Sequence, residues 1–269
     1  MTYNSMLQLA HFRQAAFRDT VRDVFPHFAT DAAFPENCEG AKVWEIAKTI
    51  EAFRKFNVLR PDSEVLGVAA GYEHTAYWLT NHVKRVYVTD LYEASTEWKE
   101  ANEGMLFDAS PFAFPGFEWN RRRLVVQHMN ALDLRYEDNS FDGVFSSGSI
   151  EHFGSLANVA TAMSEIGRVL KPGAIACVTT EFRISGPSGE LGIPGAIMFT
   201  PAMLKEYIVK ASGLTLVDEP EWMSDEETKA CAYPLQEAVD NGPRSRSVAL
   251  THGGFTWTSG AICLRKEHA

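Results

Sequence analysis

Two groups of residues with the chemistry of a nucleoside-binding site follow neighbouring apolar runs. The run at 65–68 leads into the small residues at 69–71, and the run at 86–88 leads to Asp90. Small residues at the end of a strand let the backbone pass close to a ligand. An acidic side chain at the tip of the next strand can accept hydrogen bonds from both hydroxyls of a ribose. The pattern therefore predicts half of a nucleoside-binding unit and a small-molecule site.

Two further side chains have the chemistry of a general base. His152 follows the fourth strand-like run, and Glu181 comes directly after the fifth. A histidine changes charge near neutral pH, and a positioned base accelerates a reaction by roughly 10²–10⁴-fold. We take His152 as the first candidate for a catalytic base and Glu181 as the second. A structural contact over the bound ligand is the alternative role for His152.

Strands and helices alternate along the chain from residue 58 onward. Apolar spacing predicts strands over 64–69, 85–90, 124–128, 143–146, 174–180, 214–218 and 256–264. Helical patterns fall at 75–81, 156–170 and 201–211, and the second ends at the stop signal Lys171-Pro172-Gly173. This alternation predicts an α/β fold with a doubly wound, mostly parallel seven-stranded sheet. In such sheets the ligand lies beyond the carboxyl ends of the strands, where the strand order reverses.

The first 57 residues have a different pattern, which is mainly helical. Between residues 44 and 56, apolar side chains recur at spacings of three and four, which forms one helical stripe. We therefore predict a helical N-terminal extension or lid over 1–57, followed by a ligand-binding domain over 58–269. Loop insertions are expected at about 91–123 and 219–255, because both stretches exceed the usual length of a connection.

Composition and charge narrow the class of protein. The formal net charge is −10 for 269 residues, which disfavours nucleic acid as a partner because phosphate neutralisation needs clustered Lys and Arg. No apolar run approaches the roughly 20 residues that span a bilayer, and the first residues lack the pattern of a signal peptide. The four cysteines are scattered without a Cys-x-x-Cys pair, which disfavours a zinc site or a disulfide framework. These features fit a cytoplasmic protein with no metal.

Four stretches in consistent order and spacing resemble the motifs of a known family. They are 65–71, 130–144, 146–152 and 165–174. In this arrangement the chain resembles the class I, seven-strand S-adenosylmethionine-dependent methyltransferases. The resemblance implies a Rossmann-like methyltransferase fold, S-adenosyl-L-methionine as cofactor, and methyl transfer to a small or medium acceptor.

The resemblance also implies which residues hold the cofactor. Gly71 would let the backbone approach the methionine part, Asp90 would hold the ribose hydroxyls, and the amide oxygen of Asn130 would accept from the adenine amino group. Leu132 would pack near the adenine or offer its backbone N–H to the ring. The full set of implied cofactor-binding residues is Gly67, Ala69, Gly71, Glu73, Asp90, Leu91, Asn130, Ala131, Leu132 and Ser146.

Three positions depart from the family pattern. The family usually has an acidic residue at the position of Gly67 and glycines at those of Ala69 and Glu73. A positive φ at Ala69 would cost about 1–2 kcal/mol, so we expect a backbone conformation that alanine tolerates. Glu73 is a candidate to replace the acid that is absent at Gly67.

The acceptor is suggested only by the wider surroundings of these motifs. The segments 44–50, 78–82 and 89–93 look like those of methyltransferases that accompany glycan-building enzymes in bacteria. This likeness favours a hydroxyl of a sugar or glycolipid as the acceptor. A non-catalytic protein of the same fold is the alternative, whereas the absence of Gly-x-Gly-x-x-Gly disfavours a nicotinamide dehydrogenase. The sequence leaves the methylated atom and the oligomeric state open.

Overall fold

The computed structural model describes residues 2–93, 99–114, 117–241, 246 and 248–268, so parts of both predicted insertions lie outside the described residues. The strands are β1 Ser5–Met6, β2 Glu64–Val68, β3 Arg85–Asp90, β4 Leu124–His128, β5 Phe141–Ser147, β6 Leu170–Ser185, β7 Gly192–Ile193, β8 Ala196–Ile197, β9 Thr215–Leu216, β10 Tyr233–Pro234, β11 Ala249–His252 and β12 Phe255–Arg265. The helices are α1 Ala15–Val24, α2 Pro26–Ala29, α3 Ala41–Lys55, α4 His74–Leu79, α5 Leu156–Val169, α6 Pro201–Met203, which continues as a π-helix over Leu204–Lys210, α7 Glu226–Ala230 and α8 Leu235–Asn241.

One large, mostly parallel sheet organises the molecule and confirms the predicted α/β fold class. Within the described residues it contains ten strands rather than the predicted seven, because β1, β10 and β11 also join it. The strands run in the order β10-β11-β12-β6-β5-β2-β3-β4. The five strands from β6 to β4 are parallel to their neighbours, and β12 is antiparallel to β6. The chain proceeds outward from β2 through β3 to β4 and then returns to place β5 on the other side of β2. The strand order therefore reverses between β2 and β5, which is where a ligand site is expected.

Helices cover both faces of the sheet because its strands are apolar on both sides. Adjacent residues of β2 belong to different hydrophobic cores, with Val65 facing α1, α3 and α4, and Leu66 facing α5 and the π-helix. This alternation follows from the two-residue period of a strand. Burial on two faces explains the nearly continuous apolar runs in the central strands.

The N-terminal helices share the first of these cores. Trp44, Ile50 and Phe53 of α3 are buried in it, and Ser5 of β1 pairs with Ala261 of β12. The segment before residue 57 is thus in contact with the sheet through both a helix and a strand. The division of the chain at residue 57 stays a prediction.

Two local expectations about strand ends were wrong. The helix α5 does end at Val169, but the residues of the stop signal belong to β6, because Leu170 already pairs with Phe141 of β5. His252 falls in the stretch 219–255, where we expected a loop before the last strand, but it is the last residue of β11 and pairs with Phe255. Gly253 and Gly254 form the two-residue turn between them, with φ of 56° and 81°. Both residues need positive φ in such a turn, and glycine adopts it without strain.

Candidate functional site

A large cavity lies at the carboxyl ends of the central strands, beside the point where the strand order reverses. Its volume is about 1070 Å³. One wall consists of strand ends and the loops that follow them, at 69–74, 90–91, 129–132 and 147–149. The other wall consists of Phe25 and of side chains from α2, α3 and the segment 100–114. We call these the strand-end wall and the helix wall.

Most of the predicted site residues line this cavity. Nine of them do so, namely Ala69, Gly71, Glu73, Asp90, Leu91, Asn130, Ala131, Leu132 and His152. Gly67, Ser146 and Glu181 are not among the lining residues. The cavity thus brings together the residues that follow β2, β3, β4 and β5, and their individual roles stay predictions.

The carboxylate of Asp90 is fixed at the tip of β3 by backbone donors. Its Oδ2 accepts from the N–H of Gly71 at 2.9 Å, and its Oδ1 accepts from the N–H of Leu91 at 2.8 Å. Burial raises the pKa of Asp90, and these two hydrogen bonds oppose that rise. Each carboxylate oxygen keeps a second lone pair. The side chain is therefore held in place and can still accept from a ligand.

The loop after β2 contains a conformation that we did not expect. Ala69 has a φ of 48°, so the expectation that alanine avoids positive φ here was wrong. Its carbonyl accepts from the Oγ of Ser149 at 2.8 Å, and the N–H of Ala70 donates to Thr89 at 3.0 Å. These bonds hold a backbone that is strained by roughly 1–2 kcal/mol in a residue other than glycine.

Gly67 is a glycine because of packing within the sheet. A Cβ atom there would lie 2.6 Å from the ring of Phe145 and 2.8 Å from the Cβ of Ala70. Neither contact is compatible with a side chain, so no acid fits at this position. The departure from the family pattern at Gly67 therefore follows from the bulk of Phe145 on the neighbouring strand.

Ser146 and Ser147 differ because adjacent residues of a strand face opposite sides of the sheet. Ser147 lines the cavity, whereas Ser146 is fully buried away from it. Among the described residues, the Oγ of Ser146 has no hydrogen-bond partner. Ser147 rather than Ser146 therefore lines the cavity, and the cofactor contact expected of Ser146 stays a prediction.

Asn130 and Leu132 hold one another in a tight turn. The Oδ1 of Asn130 accepts from the N–H of Leu132 at 2.9 Å. The backbone N–H of Leu132 is thus already bonded, which removes one of the two roles implied for it. Both side chains remain at the cavity, where Leu132 presents an apolar surface and Asn130 keeps its amide group accessible.

A lysine that sequence reasoning missed lies on the helix wall, opposite the loop after β2. The Nζ of Lys42 lies 2.6 Å from the Oε2 of Glu45 and donates to the carbonyl of Ser147 at 3.2 Å. The hydroxyl of Ser147 donates to the Oε1 of Glu73 at 3.2 Å. Burial opposes the charge on Lys42, but Glu45 and Glu73 outweigh it and raise the lysine pKa. The i, i+3 spacing of Lys42 and Glu45 was readable in the sequence, but their position beside the cavity was not.

His152 lies at the cavity with one ring nitrogen held by the backbone. Its Nδ1 is 2.8 Å from the carbonyl oxygen of Gly195, and its Nε2 is 4.0 Å from the Oε1 of Glu151. Because a carbonyl only accepts, Nδ1 carries the proton and Nε2 carries the lone pair of the neutral ring. Burial lowers the pKa of His152, with Lys42 adding to that effect. The ring is thus neutral at physiological pH and suited to accept a proton.

Glu181 lies behind the cavity wall, close to other buried carboxyl groups. It is opposite Ser259 of β12, whose hydroxyl bonds to Glu45. Burial and the neighbouring Glu151 raise the pKa of Glu181 well above its usual range. Burial also raises the pKa of Glu151 to about 7, and its carboxyl group accepts from Thr180 at 2.8 Å. The expected position of Glu181 at the active-site edge was therefore wrong, because β6 continues past it to Ser185.

The helix wall is mainly aromatic and apolar. Phe25 stacks on His74 with ring centroids 5.1 Å apart, and Phe114 lies edge-on to His74 at 4.5 Å. The Nε2 of His74 is 2.7 Å from the carbonyl oxygen of Val24, and burial lowers its pKa to about 4. The other apolar residues of this wall are Phe28, Val43, Ile46, Ala101, Phe112 and Ala113. This wall suits a ligand with a flat or apolar surface.

The described residues contain neither a candidate metal site nor a candidate membrane-spanning helix. No group of three or more His, Cys, Asp or Glu residues could hold a metal ion in the described part of the chain. No helix within those residues is long and apolar enough to cross a membrane.

Comparison with known proteins relates the central part of the chain to a family of domains. Residues 66–178 match the family model described as a methyltransferase domain. The match covers most of β2, the strands β3 to β5 and the first part of β6, and the residues that follow β2 to β5 form the strand-end wall. By this match, residues 66–178 are similar to a methyltransferase domain, and the fold of the chain is one that S-adenosylmethionine-dependent methyltransferases share.

The individual proteins that resemble this chain are related to it only distantly in sequence. The demethylmenaquinone methyltransferase of Symbiobacterium thermophilum is 28% identical over 163 residues, which are 57% of this chain and 55% of that protein. The chain thus spans about half the length of this curated relative. The phosphoethanolamine N-methyltransferase 2 of Haemonchus contortus, in complex with S-adenosyl-L-methionine, superposes with a TM-score of 0.55 at 17% identity over 94% of this chain and 60% of that one. The cyclase SpnF superposes with a TM-score of 0.52 at 17% identity over 95% of this chain and 98% of that one.

Proposed function

We propose that this protein binds S-adenosyl-L-methionine along the strand-end wall and transfers its methyl group to an acceptor bound against the helix wall. The observation that carries the proposal is the carboxylate of Asp90, held by two backbone N–H groups at the tip of β3 and open to the cavity. When bound, the cofactor supplies a methyl group already activated by a sulfonium. The residues of the chain therefore mainly position the reactants, which contributes up to about 7–11 kcal/mol.

The cavity contains the groups that such a cofactor requires. Asp90 can accept from ribose hydroxyls, Leu132 can pack on the adenine, and Gly71 lets the loop after β2 approach closely. Asn130 offers its amide group at the adenine end. The strand-end wall also matches the position expected for a nucleoside in a doubly wound sheet.

His152 is the proposed general base. Its neutral ring carries the lone pair on Nε2, because Nδ1 is bonded to the carbonyl of Gly195. A base so placed would take the proton from an acceptor hydroxyl, while the cofactor would supply the methyl group and leave as the neutral thioether S-adenosylhomocysteine. Glu151 lies 4.0 Å from Nε2 and favours the protonated ring that results.

The proposed acceptor is a hydroxyl of a sugar or glycolipid, as the sequence resemblance indicates. The aromatic rings of Phe25, Phe28 and Phe114 offer surfaces on which a sugar ring can stack. The same rings also suit a planar aromatic acceptor, and the relative from Symbiobacterium thermophilum is named for demethylmenaquinone. A phenolic or quinol hydroxyl is therefore the second candidate.

A binding experiment and an activity screen test the proposal together. Calorimetry with S-adenosylhomocysteine should give saturable binding at one site. A panel of sugars, glycolipids, phenols and amines, incubated with the protein and methyl-labelled cofactor, should yield a labelled hydroxyl product. Binding without transfer to any class would favour a non-catalytic protein of this fold, and absence of binding by the folded protein would reject the proposal.

A further inference from the structure

The strand-end wall and the helix wall meet at a pair of opposite charges that the nucleoside contacts do not use. Lys42 of α3 and Glu73 of the loop after β2 both line the cavity. Ser147 joins them, because its carbonyl accepts from Lys42 at 3.2 Å and its hydroxyl donates to Glu73 at 3.2 Å. An ammonium group and a carboxylate are thus held beside a single residue, on the side of the cavity away from Asn130.

Each charge keeps bonding capacity toward the cavity. An ammonium group has three donors, and Glu45 and Ser147 account for two of those of Lys42. The Oε1 of Glu73 accepts from Ser147 and Thr75. Its Oε2 makes no hydrogen bond within the described part of the chain.

The supporting contacts hold both groups rigidly. Glu45 is 4% exposed, and its second oxygen bonds to the hydroxyl of Ser259 on β12, so it fixes the end of the Lys42 side chain. Gly148 makes room for this arrangement, because a Cβ there would lie 3.0 Å from the Nζ of Lys42. Because these charged side chains are already ordered, binding a complementary ligand costs less conformational entropy.

We propose that Lys42 and Glu73 form a clamp for a zwitterionic α-amino acid group, with Lys42 binding the carboxylate and Glu73 binding the ammonium. Under the proposed function, on which this inference rests, the group is the methionine end of the cofactor. The clamp depends on a glutamate at a position where the family usually has glycine and on a lysine from outside the matched domain. It replaces the acid that Phe145 excludes from Gly67.

Two probes that differ only in the amino acid end test the clamp. S-adenosylhomocysteine contains it, and 5′-methylthioadenosine has the same adenosyl thioether without it. Calorimetry on the full chain should show that wild type binds the first probe at least tenfold more tightly. In Lys42→Met and Glu73→Gln, affinity for S-adenosylhomocysteine should fall at least tenfold, whereas affinity for 5′-methylthioadenosine should change less than threefold.

Controls separate this role from a structural one. Lys55→Met removes a lysine from the exposed end of the same helix and should change neither affinity. If Lys42→Met fails to fold because Glu45 is left unpaired, the double variant Lys42→Met/Glu45→Gln removes that charge and should show the same selective loss.

The outcomes distinguish failure of the clamp from failure of the proposed function. Equal losses for both probes, or no loss for either, would overturn the clamp and leave the cofactor site intact. Equal affinity of wild type for the two probes would also overturn it. Absence of binding of either probe to folded wild type would reject the proposed function itself.

Discussion

The two walls of the cavity are built in different ways. The strand-end wall uses backbone groups and short side chains that follow β2, β3, β4 and β5, and its geometry is set by the sheet. The helix wall uses long side chains such as Phe28 and Lys42, which reach the cavity only because distant helices pack against the sheet. We infer that the first wall, together with Lys42, determines cofactor binding and that the aromatic side chains of the second wall determine the acceptor.

Removal of the proposed base should have the largest effect. His152→Ala is expected to reduce turnover by about 10²–10⁴-fold with the best acceptor from the screen, since a general base contributes that much. Affinity for S-adenosylhomocysteine should stay within about twofold of wild type, because the ring acts on the acceptor. The matched control is His252→Ala, at an exposed residue of β11 outside the cavity. A loss of cofactor affinity larger than the loss of turnover would assign His152 to the strand-end wall.

Acidification should weaken the contact between His74 of the strand-end wall and the aromatic rings of the helix wall. The pKa of this buried ring is lowered to about 4 from 6.5, so below pH 6.5 the unfolded chain binds a proton that the folded chain does not. The stabilising contribution of neutral His74 is therefore fully present above pH 6.5 and decreases as the pH falls toward 4. Urea unfolding at pH 7.5 and at pH 5 measures how much the free energy of unfolding falls on acidification. This fall should be smaller in His74→Phe than in wild type. Equal losses would contradict the assignment.

Asp90→Ala should weaken S-adenosylhomocysteine binding by about 1–3 kcal/mol, because the ribose hydroxyls lose their acceptor. Calorimetry measures this directly, with Asp19→Ala, an exposed acid on α1, as the control. Unchanged affinity would mean that another acid holds the ribose.

Loss of an aromatic side chain from the helix wall should weaken binding of the acceptor rather than of the cofactor. Phe28→Ala is expected to raise the KM for the acceptor by about tenfold, from loss of roughly 1–2 kcal/mol of apolar contact, with cofactor affinity unchanged. Phe107→Ala is the control, since that ring is 87% exposed and outside the cavity. If Phe28→Ala weakened cofactor binding and left KM unchanged, the division of roles between the two walls would be wrong.

Relief of strain in the loop after β2 is the smallest predicted effect. Ala69→Gly should raise the free energy of unfolding by up to about 1 kcal/mol, because relief of positive φ exceeds the entropy that glycine adds to the unfolded chain. The control Ala157→Gly, at an exposed residue of α5, should lower the free energy of unfolding by a similar amount. A lower free energy of unfolding in Ala69→Gly would contradict the conclusion that the backbone at Ala69 is strained.

The strand-end wall was largely readable from the sequence. The strands Arg85–Asp90 and Leu124–His128 have the predicted bounds, because each contains a short apolar run with two valines, a residue type that favours strands. That signal also placed Asp90 at a strand end. The Gly253-Gly254 pair was an equally local signal for a hairpin, and reading it as a loop was an avoidable error.

The helix wall could not be read in the same way. Lys42 meets Ser147 across 105 positions of the chain, and helical periodicity does not report which distant element a side chain will face. The strain at Ala69 could not be predicted either, because alanine does not indicate positive φ and the backbone is held there by the bonds from Ser149 to Ala69 and from Ala70 to Thr89.

A crystal structure of the protein with S-adenosylhomocysteine tests the central claim most directly. The account predicts the ribose hydroxyls within hydrogen-bond distance of the Asp90 carboxylate and the adenine beside Leu132. A nucleoside bound elsewhere, or strand ends at β2 and β3 that make no contact with it, would contradict the account.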